Sequence, residues 1–242
     1  MTNWRSVSRN TMASRVARDV PAGAVVNLGI GMPELVGNYL APEDEVLIHT
    51  ENGIIGSGPT VDGPFQDFDL INAGRKPVSL AQGGHFVDHA DSFALVRGGH
   101  LDITVLGAFQ VSASGDLANW STGDHQSLPS PGGAMDLAVG ARQVFVMMNL
   151  FGRDGESKLV EGCTLPLTAA GVVKRLYTDL AVFDLSGAGA QGLTVLDLAP
   201  GVDLDALSQR LGLRLVAAPT GIGIYNGSRY TGEGAIARYD VL

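Results

Sequence analysis

Glu51 is the residue of this chain best suited to covalent chemistry. It follows the apolar run EVLIHT (45–50), which is typical of a buried strand, and it begins the segment ENGIIGSGP. A glutamate carboxylate is ionised at neutral pH, so it can act as a nucleophile without a separate base. Asn52 and Gly53 predict a tight turn, and the alternative interpretation is a solvent-exposed turn with a solvated glutamate. Because sites in open α/β sheets gather at the carboxyl ends of strands, we expect Glu51 to be functional.

Two glycine-containing segments could present backbone N–H groups to an anion. In NLGIGMPELV, Gly29 and Gly31 stand between a predicted strand and a predicted helix, and in PSPGGAMDLAVG, Gly132 and Gly133 stand at the start of a helix. N–H groups at a helix start lack intrahelical partners and can donate to a developing negative oxygen. Neither segment has the G-x-G-x-x-G or P-loop pattern. A plain tight turn therefore remains the alternative for each.

The other polar candidates carry weaker patterns. His100 follows two glycines and could be a base, although a single histidine beside a strand is more often structural. Asn119 lies in the polar segment that follows the next strand and could contact a substrate. His85 and His89 have the spacing of a metal pair, but no third ligand is evident, so we expect no metal site. The absence of a G-x-S-x-G elbow argues against a serine hydrolase of that type.

The composition excludes several classes of protein. The chain has 242 residues, of which 45% are hydrophobic and 17% charged, as is typical of a globular protein. Its net charge of -9 argues against a nucleic-acid partner, which would need a basic face. The lone Cys163 cannot form an internal disulfide, and neither a secretory signal nor an apolar run of about 18 residues is evident. We therefore expect a cytoplasmic protein with no membrane contact.

The elements that would position these residues alternate along the chain. Strands are predicted at 24–30, 45–50, 78–81, 101–107, 142–150, 180–185 and 193–198, and helices at 4–19, 33–40, 132–141, 167–179 and 203–212. This alternation predicts an α/β fold with a mostly parallel, open sheet and helices on both faces. The polar region 109–131 lacks periodicity and is predicted to be a long functional loop. We assign residues 1–218 to one domain and residues 219–242 to a C-terminal extension.

The order of these segments and their amino-acid sequences resemble those of one known family. NLGIGMPELV, ENGIIGSGP, DLINAG, the block DSFALVRGGHLDITVLGAFQVSASGDLANW, GGAMDL, CTLPLT and TDLAVFD follow one another along the chain. Together they resemble the B (beta) subunit of family I CoA-transferases, the 3-oxoacid and 3-oxoadipate CoA-transferases. The resemblance runs from about residue 24 to about residue 216, and it implies the NagB/RpiA-like fold of that family.

The resemblance also implies a mechanism and a partner. Glu51 matches the family's catalytic glutamate, with Thr50 in place of the usual serine, and Gly133 matches a glycine whose N–H belongs to the oxyanion hole. The enzyme would move CoA from an acyl-CoA, such as succinyl-CoA, to a 3-oxo acid through a glutamyl-CoA thioester. It would need an A (alpha) subunit, in a heterodimer or heterotetramer, and no cofactor besides CoA as substrate. The residues that we expect to contact CoA or the acid are Gly29, Gly31, Asn52, Gly53, Asn119 and Gly132.

One departure from the family leaves alternatives open. The segment STGDHQSLPSPGGAMDL lacks two lysines that are usual in the family, so the acid pair is not determined. An acyl-CoA hydrolase or ring-opening hydrolase on the same fold would use water as acceptor. A non-catalytic ligand-binding subunit is a second alternative. A sugar-phosphate isomerase-like protein, with a phosphate site around Arg97, is a third.

Overall fold

The structure is a computed structural model that describes residues 4–123, 130–189 and 192–225. Its α-helices are α1 Arg9–Ala17, α2 His89–Arg97, α3 Ala134–Gly140 and α4 Leu204–Leu211, and its 3₁₀ helices are Pro33–Tyr39, Pro42–Asp44 and Gly63–Phe65. The strands are β1 Val25–Leu28, β2 Leu47–Thr50, β3 Ile54–Thr60, β4 Val78–Phe86, β5 Ile103–Gly107, β6 Gln110–Ser112, β7 Leu117–Ala118, β8 Gln143–Met147, β9 Leu159–Val160, β10 Val173–Tyr177, β11 Ala181–Gly189, β12 Gly192–Leu198, β13 Leu215–Ala217 and β14 Gly223–Ile224.

A large mixed sheet organises the chain. Its 11 strands lie in the order β13-β12-β11-β10-β8-β5-β1-β2-β3-β4, and β14 also pairs with β12. The central strands β2, β1, β5, β8 and β10 run parallel, whereas β2-β3-β4 and β10-β11-β12 are antiparallel. The predicted α/β fold with a mostly parallel, open sheet is confirmed, and the antiparallel strands at its two sides are an addition to that prediction.

The sheet is covered on both faces because its central strands are apolar on both sides. In β8, Val144 and Val146 pack with α2, α3 and α4, whereas Phe145 and Met147 pack with α1 and the 3₁₀ helix at Pro33–Tyr39. Successive strand residues point to opposite faces, so one short strand contributes to two cores. This arrangement leaves the carboxyl ends of the parallel strands as the edge at which loops meet.

The helix predicted at 167–179 is wrong, because the chain there forms β10. Val173, Leu176 and Tyr177 are buried, and the strand hydrogen-bonds to β8 on one side and β11 on the other. The apolar residues of this segment fit a helical period as well as a strand. Tertiary pairing between two strands decides the outcome, since β-branched and aromatic residues favour a pleated surface.

Two other predictions also need correction. The segment predicted as a helix at 33–40 is a 3₁₀ helix, whose buried residues Pro33 and Val36 are three apart, as the 3₁₀ period requires. Region 109–131 is not a structureless loop: it contributes β6 and β7 to a small sheet of order β7-β6-β9. Residues 124–129 of that region lie outside the described residues.

The start of the predicted C-terminal extension packs on the domain. The strand β14 pairs with β12, and Tyr225 is fully buried. Residues 226–242 lie outside the described residues, and the boundary at residue 218 stays a prediction. In the part of the chain that the structure describes, no helix is long and apolar enough to cross a membrane.

A cluster of ion pairs holds α1 against the sheet. Asp19 lies 2.6 Å from the Arg15 guanidinium and 2.7 Å from that of Arg175, and it accepts a hydrogen bond of 2.7 Å from the Tyr177 hydroxyl. Arg15 also contacts Asp197 at 2.6 Å. Burial alone would raise the pKa of Asp19, but the attraction of Arg15, the Tyr177 hydrogen bond and Arg175 outweigh it and hold the pKa below its usual value of 3.8.

We expect Asp19→Asn to destabilise the fold by about 3 kcal/mol, because it leaves Arg15 and Arg175 without their shared carboxylate. A carboxylate with a lowered pKa stabilises the fold above its unfolded-state pKa and loses that contribution as pH falls. The wild-type protein should therefore lose more stability than Asp19→Asn as pH falls below about 4. Urea denaturation at several pH values measures both effects. Arg142→Ala breaks an exposed pair with Asp102 and should cost less than about 1 kcal/mol; equal losses would contradict this account.

Candidate active site

Glu51 lies in a three-residue hairpin loop between β2 and β3. Thr50 pairs with Ile54 across the hairpin, and the Gly53 N–H donates to the Thr50 carbonyl at 2.9 Å. Gly53 has a φ of +108°, which a residue with a side chain rarely adopts. The hairpin thus turns the chain back at the carboxyl end of a parallel strand, and it leaves Glu51 half-buried at that edge.

The helix α2 lies directly beside this hairpin. The Val87 N–H donates to the Gly53 carbonyl at 2.9 Å, and the next residue, Asp88, caps α2 by accepting from the Ala90 N–H at 2.8 Å. A Cβ atom at Gly53 would overlap the Val87 carbonyl oxygen. Only glycine at position 53 therefore allows the entry to α2 to approach the Glu51 loop so closely.

The backbone at Gly133 borders the carboxylate of Glu51. A Cβ atom at position 133 would overlap Glu51 Oε2 and would lie 2.7 Å from Cζ of Phe93, so a side chain there would require Glu51 and Phe93 to shift. Gly133 is the N-cap residue of α3, and in the described part of the chain its N–H donates to no other backbone group or side chain. Glu51 and Gly133, which are 82 positions apart in the sequence, are thus brought into contact.

A second glycine fixes the distance between α2 and α3. A Cβ atom at Gly140, the last residue of α3, would overlap the Val96 carbonyl oxygen of α2. The two helices therefore touch at both ends of α3, at Phe93 and at Val96. Such close backbone approach leaves little freedom for α3 to move relative to α2.

These elements enclose one cleft. Its volume is about 460 Å³, which is within the range of about 300–1,000 Å³ that is usual for small-molecule sites. Its lining combines two carboxylates, a pair of glycines, an alanine, an aromatic ring, an imidazole and a guanidinium: Glu51, His89, Ala90, Phe93, Arg97, Gly132, Gly133 and Asp136.

Arg97 and Asp136 form an ion pair in the cleft wall. Arg97 Nε and Nη2 donate to the two Asp136 carboxylate oxygens at 2.8 and 3.1 Å. The Arg97 hydrogen bond holds the pKa of Asp136 below its usual value, against the opposing effect of desolvation. The Phe93 ring lies between His89, with ring centroids 5.0 Å apart, and the Arg97 guanidinium, 5.8 Å from the ring centroid. Phe93 thus supplies an apolar wall beside a carboxylate, flanked by basic groups.

Of the residues predicted from sequence, Glu51, Gly132 and Gly133 line this cleft, and Gly29, Gly31, Asn52 and Gly53 do not. Gly29 donates its N–H to the Val105 carbonyl at 2.8 Å, and Gly31 has a φ of +91° in the turn after β1. The Asn52 side chain donates to the Ile71 carbonyl at 2.8 Å. These contacts give each residue a structural part, and their predicted contact with CoA or acid stays a prediction.

Asn119 lies in the small-sheet region, where it is hydrogen-bonded to Thr168. The Asn119 N–H donates to Thr168 Oγ1 at 3.1 Å, and that hydroxyl donates to Asn119 Oδ1 at 2.6 Å. The residue does not line the cleft that holds Glu51, and its substrate contact also stays a prediction. Among the described residues, no three His, Cys, Asp or Glu side chains form a group that could hold a metal ion.

Sequence reasoning missed the part that α2 plays in the cleft. His89, Phe93 and Arg97 are spaced four residues apart, so they share one face of the helix. The capping aspartate at position 88 and this spacing are both visible in the sequence, but no helix was predicted over HADSFALVR. The sequence therefore indicates a helix with these three residues on one face. It does not indicate that this face lines the cleft, because that depends on the neighbouring elements.

Comparison with known proteins points to one family. A family model described as Coenzyme A transferase matches residues 9–210. The beta subunit of the 3-oxoadipate CoA-transferase of Pseudomonas putida is 55% identical over 216 residues, which are 89% of this chain and 100% of that protein. The corresponding protein from Acinetobacter baylyi, which has the same name, is 45% identical over 219 residues, which are 90% of this chain and 100% of that protein.

A solved structure shares the fold. The acyl-CoA transferase of Escherichia coli O157:H7, in a thioester complex with CoA, superposes with a TM-score of 0.68 at 20% identity. The match covers 94% of this chain but only 44% of that longer chain, so this chain corresponds to about half of it. The family model and the identity to both beta subunits over their whole lengths establish the relationship: this chain belongs to the coenzyme A transferase family.

Proposed function

We propose that this chain is the glutamate-bearing beta subunit of a CoA-transferase that moves CoA from an acyl-CoA to a 3-oxo acid. The observation that carries the proposal is the contact between the Glu51 carboxylate and the Gly133 backbone in an accessible cleft. The full lengths of two 3-oxoadipate CoA-transferase beta subunits align with this chain, which supports both the reaction and the need for an alpha subunit. The predicted cytoplasmic location stays a prediction.

In the first half-reaction, a Glu51 carboxylate oxygen attacks the thioester carbonyl carbon of the acyl-CoA. The C–S bond then breaks, CoA leaves as thiolate, and an acyl-glutamyl anhydride remains. The thiolate attacks the glutamyl carbonyl carbon of this anhydride and expels the donor acid as a carboxylate. Glu51 is then a glutamyl-CoA thioester, and no proton has been gained or lost.

In the second half-reaction, the acceptor acid reverses these steps. Its carboxylate attacks the glutamyl thioester, the released thiolate attacks the acceptor carbonyl of the new anhydride, and Glu51 is restored as a carboxylate. The donor acid leaves before the acceptor acid reacts, so the kinetics are ping-pong. CoA enters as a substrate, and these steps need no metal or redox group.

The cleft residues have separate parts in this chemistry. The Gly133 N–H donates to the oxygen that becomes negative in each tetrahedral intermediate, together with a donor from the alpha subunit. Phe93 limits the access of water to one side of the Glu51 carboxylate, which also protects the anhydride and thioester from hydrolysis. Hydrolysis is the second candidate function, because the same cleft would serve it if water were admitted.

Replacement of Glu51 by alanine should abolish CoA transfer, because the covalent route disappears. We expect Glu51→Ala, assembled with its alpha subunit, to lose at least about 10⁴-fold in kcat. Incubation of the wild-type enzyme with acyl-CoA should add the mass of CoA to the peptide that contains residue 51, and borohydride should reduce this thioester to an alcohol on residue 51 with release of CoA. Glu43→Ala, a change of an exposed glutamate outside the cleft, is the matched control. Transfer at the normal rate by Glu51→Ala would contradict the mechanism.

A methyl group at position 133 should disable the site without removing any functional group. Gly133→Ala overlaps Glu51 Oε2 and the Phe93 ring, so either the carboxylate or the N–H must move. We expect kcat to fall about 100-fold, since a displacement of about 1 Å can have that effect. Gly162→Ala, at an exposed glycine with open space and no positive φ, is the control and should keep normal activity. Steady-state kinetics of both variants test this expectation.

The preferred acceptor should be a 3-oxo dicarboxylic acid such as 3-oxoadipate, rather than acetoacetate. Its second carboxylate can be attracted to Nη1 of Arg97, because the hydrogen bonds to Asp136 use Nε and Nη2. Acetoacetate has no second carboxylate. One charge-assisted hydrogen bond corresponds to about 10-fold in kcat/KM. With succinyl-CoA as donor, Arg97→Gln should remove most of that preference.

Arg142→Gln is the matched control for this test, because Arg142 is an equally exposed arginine paired with an aspartate outside the cleft. A preference for 3-oxoadipate that survives Arg97→Gln would contradict the part given to Arg97. Release of free CoA at the same rate with no acid acceptor present would instead support the hydrolase.

A further inference from the structure

A buried chain of polar side chains runs beneath the Glu51 hairpin, and the proposed mechanism does not use it. Thr104 Oγ1 donates to Asn27 Oδ1 at 3.3 Å, and Asn27 Nδ2 lies 3.3 Å from His49 Nδ1. His49 Nε2 lies 2.9 Å from Ser92 Oγ, which in turn donates to the Thr50 carbonyl at 3.3 Å. The side chains of Asn27, His49, Ser92 and Thr104 are at most 3% exposed.

Two backbone carbonyls determine which groups donate and which accept in the hydrogen bonds between Asn27, His49 and Ser92. Asn27 Nδ2 also donates to the His49 carbonyl at 3.2 Å, so the amide nitrogen, rather than its oxygen, faces His49. Nδ1 of His49 must then accept, which leaves the proton on Nε2. The Nε2–H donates to Ser92 Oγ, and the Ser92 hydroxyl proton is free to donate to the Thr50 carbonyl. Burial also lowers the pKa of His49 below its usual value, which favours this neutral ring.

This series of hydrogen bonds ends at the Thr50 carbonyl, one residue before the proposed nucleophile, Glu51. The Thr50 carbonyl accepts from both Ser92 Oγ and the Gly53 N–H, and the Thr50 hydroxyl accepts from the Ile54 N–H at 3.1 Å. Ser92 lies on α2, next to Phe93, whose ring borders Glu51 and Gly133. The hydrogen bonds therefore tie the hairpin that carries Glu51 to the helix that forms the opposite wall of the cleft.

We propose that His49 and Ser92 are positioning residues for Glu51, which they hold at the distance from Gly133 and Phe93 that anhydride formation requires. This inference rests on the proposed transferase activity. A neutral, Nε2-protonated His49 gives Ser92 one fixed hydroxyl orientation, and Ser92 then holds the Thr50 carbonyl. Removal of either link leaves the hairpin joined to α2 only at the entry of that helix, through the hydrogen bond from the Val87 N–H to the Gly53 carbonyl.

The test compares isosteric pairs in the complete enzyme, purified with its alpha subunit. His49→Gln keeps an N–H donor at the position of Nε2, whereas His49→Met has a similar shape and no donor. We expect kcat to fall at least 10-fold in His49→Met and Ser92→Ala, with KM changed less than about 2-fold and a matching fall in the rate of CoA attachment to Glu51. His49→Gln should recover most of that rate.

A general loss of stability would not give this pattern. Thr178→Val removes a buried hydroxyl at the turn between β10 and β11, far along the sheet from β2, and should keep normal kcat. The ¹⁵N NMR spectrum should show His49, assigned by its loss in His49→Gln, with Nδ1 bare and Nε2 protonated. Normal kcat in both His49→Met and Ser92→Ala, or a protonated Nδ1, would overturn the inference. That result would leave the proposed function intact, because the function depends on Glu51 and would fail only with the Glu51→Ala experiment.

Discussion

The carboxylate of Glu51 occupies the space beside the backbone of Gly133 where a side chain would otherwise lie. The arrangement of the rest of the site depends on this close contact. A side chain at position 133 would displace either the carboxylate or the Phe93 ring. At the other end of α3, a side chain on residue 140 would overlap the Val96 carbonyl oxygen, so Gly140 allows an equally close approach. Two glycines seven residues apart thus hold one short helix against α2 at both ends. This close packing places the start of α3 beside the Glu51 carboxylate.

The change from parallel to antiparallel pairing at β2 gives Glu51 its place. A parallel neighbour would have required a long crossover after β2, and the residue that follows the strand would have entered that connection. The hairpin to β3 instead returns the chain after three residues, so Glu51 stays at the edge of the sheet. The contact of Val87 with Gly53 then brings α2 to the same edge. The departure from a purely parallel sheet is therefore a condition of the site.

The sequence predicts those features of the fold and the site that depend on interactions between neighbouring residues. Glu51 was found because its strand, turn and residue type are all read from ten consecutive residues, and Gly133 because its motif marks a helix start. β10 was mistaken for a helix because its identity depends on strands before and after it. The parts played by Phe93 and His49 were also missed, since both depend on contacts with residues at least 40 positions away. A short apolar run predicts that a helix or strand is present. Which face of that element contacts which neighbour depends on the arrangement of the whole sheet.

The two faces of the sheet hold their polar groups in different ways. On the α1 face, Asp19 and its arginines form charged pairs whose strength depends on pH, and they lie far from the cleft. On the α2 face, the buried series of polar side chains from Thr104 to Ser92 is neutral and is held by hydrogen bonds. A charged group buried beneath the hairpin would need a charged partner of its own, because a buried charge is tolerated only when it is paired. A neutral series of side chains orients the hairpin without that requirement, so the position of the nucleophile depends on hydrogen bonds and not on a second buried charge.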